Sequence, residues 1–288
     1  MLLEAELRAR LERLSLRARR RVRGVWSGRH ASVRRGESLD FADYREYQPG
    51  DDFRRIDHQL WARLGVVLVR LYEAEEELPL RLVLDTSASM GFGRKAAVAG
   101  RLAAVMAYLA LSGGDRIRLV TVPGPAGPAR LGPWARHVSA WPQVERRLEE
   151  LRPGGRADLA AAARLLLGSG ATQGPVALVS DLLTEGWQDG VRALGIKGGG
   201  IVLHVLSPEE LEPDLTGDLT LVDSETGREL PVSASAEGVE AYRQALGRFL
   251  DEASRVARRA GLDYVLVPAT DRAVEDALSA LASTQVVA

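Results

Sequence analysis

Leu80-Arg81-Leu82-Val83-Leu84-Asp85-Thr86-Ser87-Ala88-Ser89-Met90-Gly91 decides the fold. An apolar run ends at an aspartate, and two serines follow at spacings of two and four. A buried strand accounts for the run. In an open parallel sheet, ligands gather beyond the carboxyl ends of the strands, which is where Asp85, Ser87 and Ser89 stand. Clustered oxygens of this kind suit a hard divalent cation. The structural alternative is a strand running into a Ser-capped helix.

Downstream of this stretch, strand and helix patterns alternate. Arg94 to Leu111 reads as an Ala/Leu-rich helix stopped by Gly113-Gly114, and Ile117 to Val122 as a strand. Residues 123–133, rich in Pro and Gly, read as a loop, and Arg136 to Ala140 as a short edge strand. Gln143 to Leu151 and Ala160 to Leu167 are helical; Val176 to Ser180 is a strand ending at Asp181. A helix from Val191, a strand over residues 200–206, a long amphipathic helix over Val239 to Ala260, a strand over residues 264–267 and a last helix complete the order. Alternation of this kind specifies an α/β, doubly wound, mostly parallel sheet. Residues 207–236 interrupt it with two short extended runs around Ser224-Glu225-Thr226-Gly227, an inserted β-hairpin.

Upstream, residues 1–23 read as a basic helix with Leu3, Leu7, Leu11 and Leu14 at helical spacing, and residues 24–79 as a β-rich region; residues 80–288 form the main domain. Residues 1–36 hold 11 Arg and 3 Glu, a local charge of +8 in a chain of net charge −1. A basic arm can meet RNA, anionic lipid or an acidic partner; aromatic platforms are sparse here, which favours a solvated helix paired with the acidic body. Cysteine is absent, which excludes disulfides, thiolate metal sites and cysteine nucleophiles. No unbroken run of 18 apolar residues and no secretion signal are visible, so the expected location is cytoplasmic. Lysine occurs only at Lys95 and Lys197; the other 36 basic residues are arginine.

Two strands therefore end in carboxylates, Asp85 and Asp181. With the hydroxyls of Ser87 and Ser89 and a loop over Gly154 to Asp158, they form an oxygen-only set with few charges. Mg2+ or Mn2+ suits such a set and Zn2+ does not, since His and Cys are not clustered. A cation held by so little protein charge stays electrophilic and takes an acidic residue of a partner protein as its last ligand.

Residues 80–206 resemble a von Willebrand factor A domain, and Asp85-x-Ser87-x-Ser89 resembles the first loop of its metal-ion-dependent adhesion site. The resemblance implies that Ser87 and Ser89 ligate the metal directly, with Asp85 and Asp181 behind them. The family also supplies a threonine from a middle loop. Here Gly154-Gly155-Arg156-Ala157-Asp158-Leu159 carries Ala157 at that place, whose methyl ligates nothing, and Asp158 is the neighbouring substitute. Arg45-Glu46-Tyr47-Gln48-Pro49-Gly50-Asp51-Asp52, Arg55-Ile56-Asp57 and Val222 to Gly227 resemble the signature of the bacterial domain-of-unknown-function 58 family. That resemblance implies a MoxR-type AAA+ ATPase as partner; apart from it, the Tyr/Arg/Asp-rich segment with Arg45, Tyr47, Asp51, Arg55 and Asp57 offers a partner-docking surface. The Tyr/Arg/Asp density of this segment is read equally well as ion pairs fixing irregular backbone over packed aromatics.

The expected function is a non-enzymatic protein-interaction module, an adaptor that binds through a metal site. The alternatives are a scaffold whose metal site has been lost, favoured by Ala157, and a metal-dependent hydrolase. The hydrolase lacks an evident general base: His30, His58, His137 and His204 are scattered, and no Walker A sequence occurs.

Overall fold

The computed structural model describes residues 1–12, 41–49, 51–72, 79–123, 128–168, 174–196, 198–213, 217–224 and 227–283. The arginines beyond residue 12 in the basic arm, and Glu225-Thr226, lie outside these. The chain divides into two compact units, Ser27–Glu77 and the remainder, Met1–Trp26 with Leu78–Ala288.

In the smaller unit, β1 (Phe41–Glu46) pairs antiparallel with β2 (Leu68–Tyr72). Between them runs a short helix, α2 (His58–Leu64). Asp57 organises this unit. Its carboxylate caps α2 by accepting from Gln59 and Leu60 backbone N–H, and it also accepts from the Tyr44 hydroxyl and the Arg70 guanidinium. The Leu60 N–H and Arg70 hold its pKa down at about 2. Tyr47 stacks on Phe53, and the Asp51 carboxylate accepts from Gln48 N–H. Asp57 and Asp51 thus fix irregular backbone, one of the two roles expected of them. The side chains of Arg45 and Arg55 lie outside the described residues.

The larger unit carries a six-stranded sheet in the order β10-β7-β6-β3-β4-β5. Its strands are β3 (Pro79–Asp85), β4 (Arg116–Val122), β5 (Arg130–Ala135), β6 (Val176–Ser180), β7 (Gly200–Leu206) and β10 (Leu262–Pro268). All neighbours are parallel except β4 and β5. β3 is buried along its whole length, Arg81 included, as a run this rich in Leu and Val requires of a central strand covered on both faces. One face is covered by a helix over residues 5–12 (α1), α3 (Lys95–Ser112), α4 (Trp141–Glu150) and α9 (Ala273–Ser283). The other is covered by α5 (Leu159–Gly168), α6 (Trp187–Gly195) and the C-terminal part of α8 (Ala236–Arg259). Leu3, Leu7 and Leu11 are buried in the first of these layers, and Glu12 accepts from the Tyr108 hydroxyl at 2.6 Å, so the start of the chain is a core helix.

The loop expected over residues 123–133 and the edge strand expected over Arg136 to Ala140 are corrected. The edge strand is Arg130–Ala135, and residues 138–140 form a 3-10 turn instead. Gly132 and Pro133 are tolerated because β5 is an outermost, antiparallel strand with a register shift. Between β7 and α8 come a one-turn helix, α7 (Pro208–Leu211), and the antiparallel pair β8 (Gly217–Val222) and β9 (Glu229–Ala234). Among the described residues α3 is long and apolar enough to cross a membrane, and two thirds of it is buried within this fold.

Candidate functional site at the carboxyl edge of the sheet

The chain leaves β3 toward β4 on one side and returns to β6 on the other. The winding direction therefore reverses between β3 and β6, and a crevice opens there. Asp85 is the last residue of β3 and Asp181 the first after β6, so the two carboxylates face the same crevice edge. The loops after β3 and β4 are stitched to the Gly154 loop: Gly154 N–H donates to Thr86 C=O, Ala88 N–H to Gly155 C=O, and the Thr86 hydroxyl to Pro123 C=O.

Each carboxylate oxygen at this edge has a protein partner. Asp85 accepts from Ser87 N–H at 2.9 Å on one oxygen and from the Ser180 hydroxyl at 2.6 Å on the other. The Ser180 oxygen in turn accepts from Leu182 N–H. Ser87 and Ser89 are buried, and their hydroxyls meet at 3.0 Å. Asp181 accepts from Leu183 N–H at 3.1 Å and from the Lys95 ammonium at 2.8 Å. Lys95 is 0% exposed, and its Nζ also lies 2.6 Å from Glu210. The second Glu210 oxygen accepts from Ser207 N–H, and Ser207 accepts from Glu210 N–H, a capping box at α7. Lys95, Ser180 and Glu210 are not among the site residues expected from the sequence. Two signals for them were present: Ser207-x-x-Glu210 before an interruption, and a lysine in an arginine-rich chain.

Ala157 is buried, and its carbonyl accepts from the Thr184 hydroxyl at 2.7 Å. Asp158 does not supply the missing oxygen. One of its carboxylate oxygens caps α5 at Ala161 N–H and the other pairs with Arg164. Leu182, between Asp181 and Leu183, has φ of 55°, a left-handed conformation that costs a non-glycine residue about 1 kcal/mol.

His204 in β7 supports Asp181 from behind. Its Nε2 lies 2.9 Å from the Asp181 carbonyl and its Nδ1 2.7 Å from the Tyr264 hydroxyl. The carbonyl can only accept, so Nε2 carries the proton and Nδ1 accepts from Tyr264. Burial pushes the imidazole pKa down to about 4. Burial, and then the charge of Asp181, push Asp85 up to about 6. The two shifts have opposite consequences. Stability contributed by neutral His204 is present above pH 6.5 and is lost as pH falls toward 4, by about 3 kcal/mol. Stability tied to protonated Asp85 is present below pH 3.8 and is lost as pH rises through 6, by a similar amount of about 3 kcal/mol. Between pH 4 and 6.5 they largely offset. Asp85→Asn is expected to expose the histidine slope, so that stability measured by urea unfolding falls steadily on acidification. Parallel pH profiles for the variant and the native chain would contradict this.

The implied divalent ion finds no carboxylate oxygen here that is not already engaged, and the ammonium of Lys95 brings positive charge to Asp181. Among the described residues no three His, Cys, Asp or Glu side chains gather as a metal group. The residues in this arrangement do not fit a divalent ion, and no chemistry is routed through one.

Two solved structures bear a distant likeness to the chain. One is an aerotolerance-related membrane protein from Bacteroides fragilis, 16% identical, with a TM-score of 0.43 over 72% of this chain and 98% of that one. The other is the pilus adhesin SpaC from Lactobacillus rhamnosus GG in its open conformation, 13% identical, with a TM-score of 0.43 over 74% of this chain and 30% of that one. Closer in sequence are uncharacterised proteins of Mycobacterium bovis and Mycobacterium tuberculosis, each 32% identical over 237 residues, 78% of this chain and 73% of theirs. The family described as protein of unknown function DUF58 matches residues 43–248, most of the smaller unit's described part and the whole crevice edge, and the chain belongs to that family.

Proposed function

We propose that the chain is a non-enzymatic protein-interaction module that docks a partner protein at the carboxyl edge of the large sheet. The reading is carried by two exposed apolar side chains that bracket the buried ion pair. Phe92 is 49% exposed, with its ring centroid 5.9 Å from the Lys95 ammonium. Leu183 is 45% exposed, and its N–H is bonded to Asp181. An apolar pair over a rigid, internally paired polar floor offers anchor points for a partner and excludes water from them. Hydrolysis gains no support from the same groups. A general base must come within hydrogen-bond reach of the proton it abstracts, whereas the Asp85, Asp181 and Glu210 carboxylates are held by hydrogen bonds within the protein and His204 is buried with both nitrogens engaged.

The family resemblance supports a MoxR-type AAA+ ATPase as the partner and a cytoplasmic adaptor as the role. The resemblance to von Willebrand factor A domains agrees with adhesion at this edge. The test is capture of such an ATPase by the intact chain, compared with Phe92→Ala and Leu183→Ala. Each substitution is expected to weaken capture about tenfold, the scale of one buried anchor. Unchanged capture by the double variant would dismiss this face as the docking surface. Docking at this face draws on no metal ion, so capture is expected to persist in EDTA.

A further inference from the structure

Lys95 holds a place that helix formation alone does not explain. It is the first residue of α3, yet it turns inward and is 0% exposed. Burying an ammonium costs several kcal/mol unless it is closely paired. The pairing here draws on three separate segments: α3 gives the ammonium, the loop after β6 gives Asp181, and α7 gives Glu210. Neither acceptor is a loose surface carboxylate. Leu183 N–H fixes Asp181, and the Ser207 capping box fixes Glu210. The acceptors are thus held in position before the cation arrives.

The choice of residue points the same way. Of 38 basic residues in the chain, 36 are arginine, and lysine occurs only at Lys95 and Lys197. A guanidinium is a broad planar fork, whereas an ammonium is a compact point charge with its donors spread around one atom. Only the compact cation suits a fully enclosed position between two carboxylates. A small ion between fixed oxygens has the same shape requirement, but Mg2+ demands oxygens at about 2.1 Å and keeps several waters, and the Nζ already sits 2.8 Å from Asp181.

We propose that the Lys95 ammonium is a built-in cation that takes the place of a divalent ion at this edge, so that the chain binds Mg2+ or Mn2+ there only when Lys95 is removed. The inference concerns the floor of the proposed docking face and is independent of whether a partner docks. The Tyr242 hydroxyl of α8 donates to the Glu210 carbonyl at 2.6 Å, which ties the residue that receives the ammonium to the N-terminal half of α8.

The test is calorimetric titration of the intact chain, without any partner, with Mg2+ and then Mn2+. The native chain is expected to give no saturable heat up to millimolar ion. Lys95→Ala and Lys95→Gln are expected to gain a saturable site at least about tenfold tighter than that limit. At ion concentrations of about ten times Kd, their melting temperatures should rise by about 3 °C or more. Lys95→Ala/Asp181→Ala should bind nothing. Lys95→Gln keeps hydrogen-bond donors and nearly the length of lysine, so it carries the test if the alanine variant does not fold. Saturable binding by the native chain that Asp85→Ala removes would overturn the proposal, as would a folded Lys95→Gln that gains no site. Loss of ATPase capture by Phe92→Ala bears on the docking face alone and leaves this result unaffected.

Discussion

Lys95→Met is expected to lower the stability of the larger unit by about 3–5 kcal/mol, the usual cost of leaving a buried carboxylate without its counter-ion. Methionine fills most of the lysine volume, so little of this loss comes from a cavity. The loss comes from Asp181, which is buried and keeps only its Leu183 N–H bond. Glu210 is partly exposed, so water solvates it in place and it contributes less. A second substitution separates these causes. Asp181→Asn keeps an acceptor for Leu183 N–H and removes the charge. Lys95→Met/Asp181→Asn is therefore expected to recover about half of the loss, and the double-mutant cycle to show coupling of about 2 kcal/mol. Denaturant unfolding of the four chains measures this. Additive losses would mean that the ammonium and the carboxylate are not an energetic pair. Lys95→Arg conserves charge but is also expected to destabilise, because the wider guanidinium must be forced into an enclosed place.

Gly200→Ala is expected to cost more than about 4 kcal/mol and to leave little folded protein. Gly200 begins β7, between Val176 of β6 and Leu262 of β10. Its φ is 138°, a region that only glycine occupies readily. An added Cβ would lie 1.9 Å from the Val176 carbonyl oxygen, and backbone on a central strand cannot withdraw. His204 lies four residues along the same strand and supports Asp181, so damage at Gly200 reaches the site. Gly168→Ala is the control. It ends α5 with nothing within 4 Å of an added Cβ, and it should be neutral or stabilising by about 0.5–1 kcal/mol. A Gly200→Ala chain melting within a few degrees of the native one would contradict this account of how β6 and β7 approach.

The central strands were legible in the sequence because burial on both faces leaves near-continuous apolar runs, interrupted in β3 only by Arg81 and in β7 only by His204. The meeting of Asp85 and Asp181 was legible as well, because topology brings strand ends together whatever their separation in the chain. β5 was not legible. An outermost strand needs no apolar alternation and tolerates Pro133, so its composition is that of a loop. Lys95 was read only as the start of a helix. Its partners lie 86 and 115 residues away, and neither periodicity nor local spacing records such pairs. The failure of Asp158 as an extra ligand has a local cause, since an aspartate three residues before a free helix N–H is more readily a cap.

With only two lysines in the chain, selective 15N-lysine labelling yields two side-chain ammonium signals, and Lys95→Gln assigns them. The account predicts a Lys95 ammonium signal that exchanges slowly with water and does not move or broaden when Mg2+ is added to millimolar concentration. An ammonium signal that exchanges as fast as that of an exposed lysine, or that shifts as Mg2+ saturates the protein, would contradict the claim that Lys95 is the resident cation of this site.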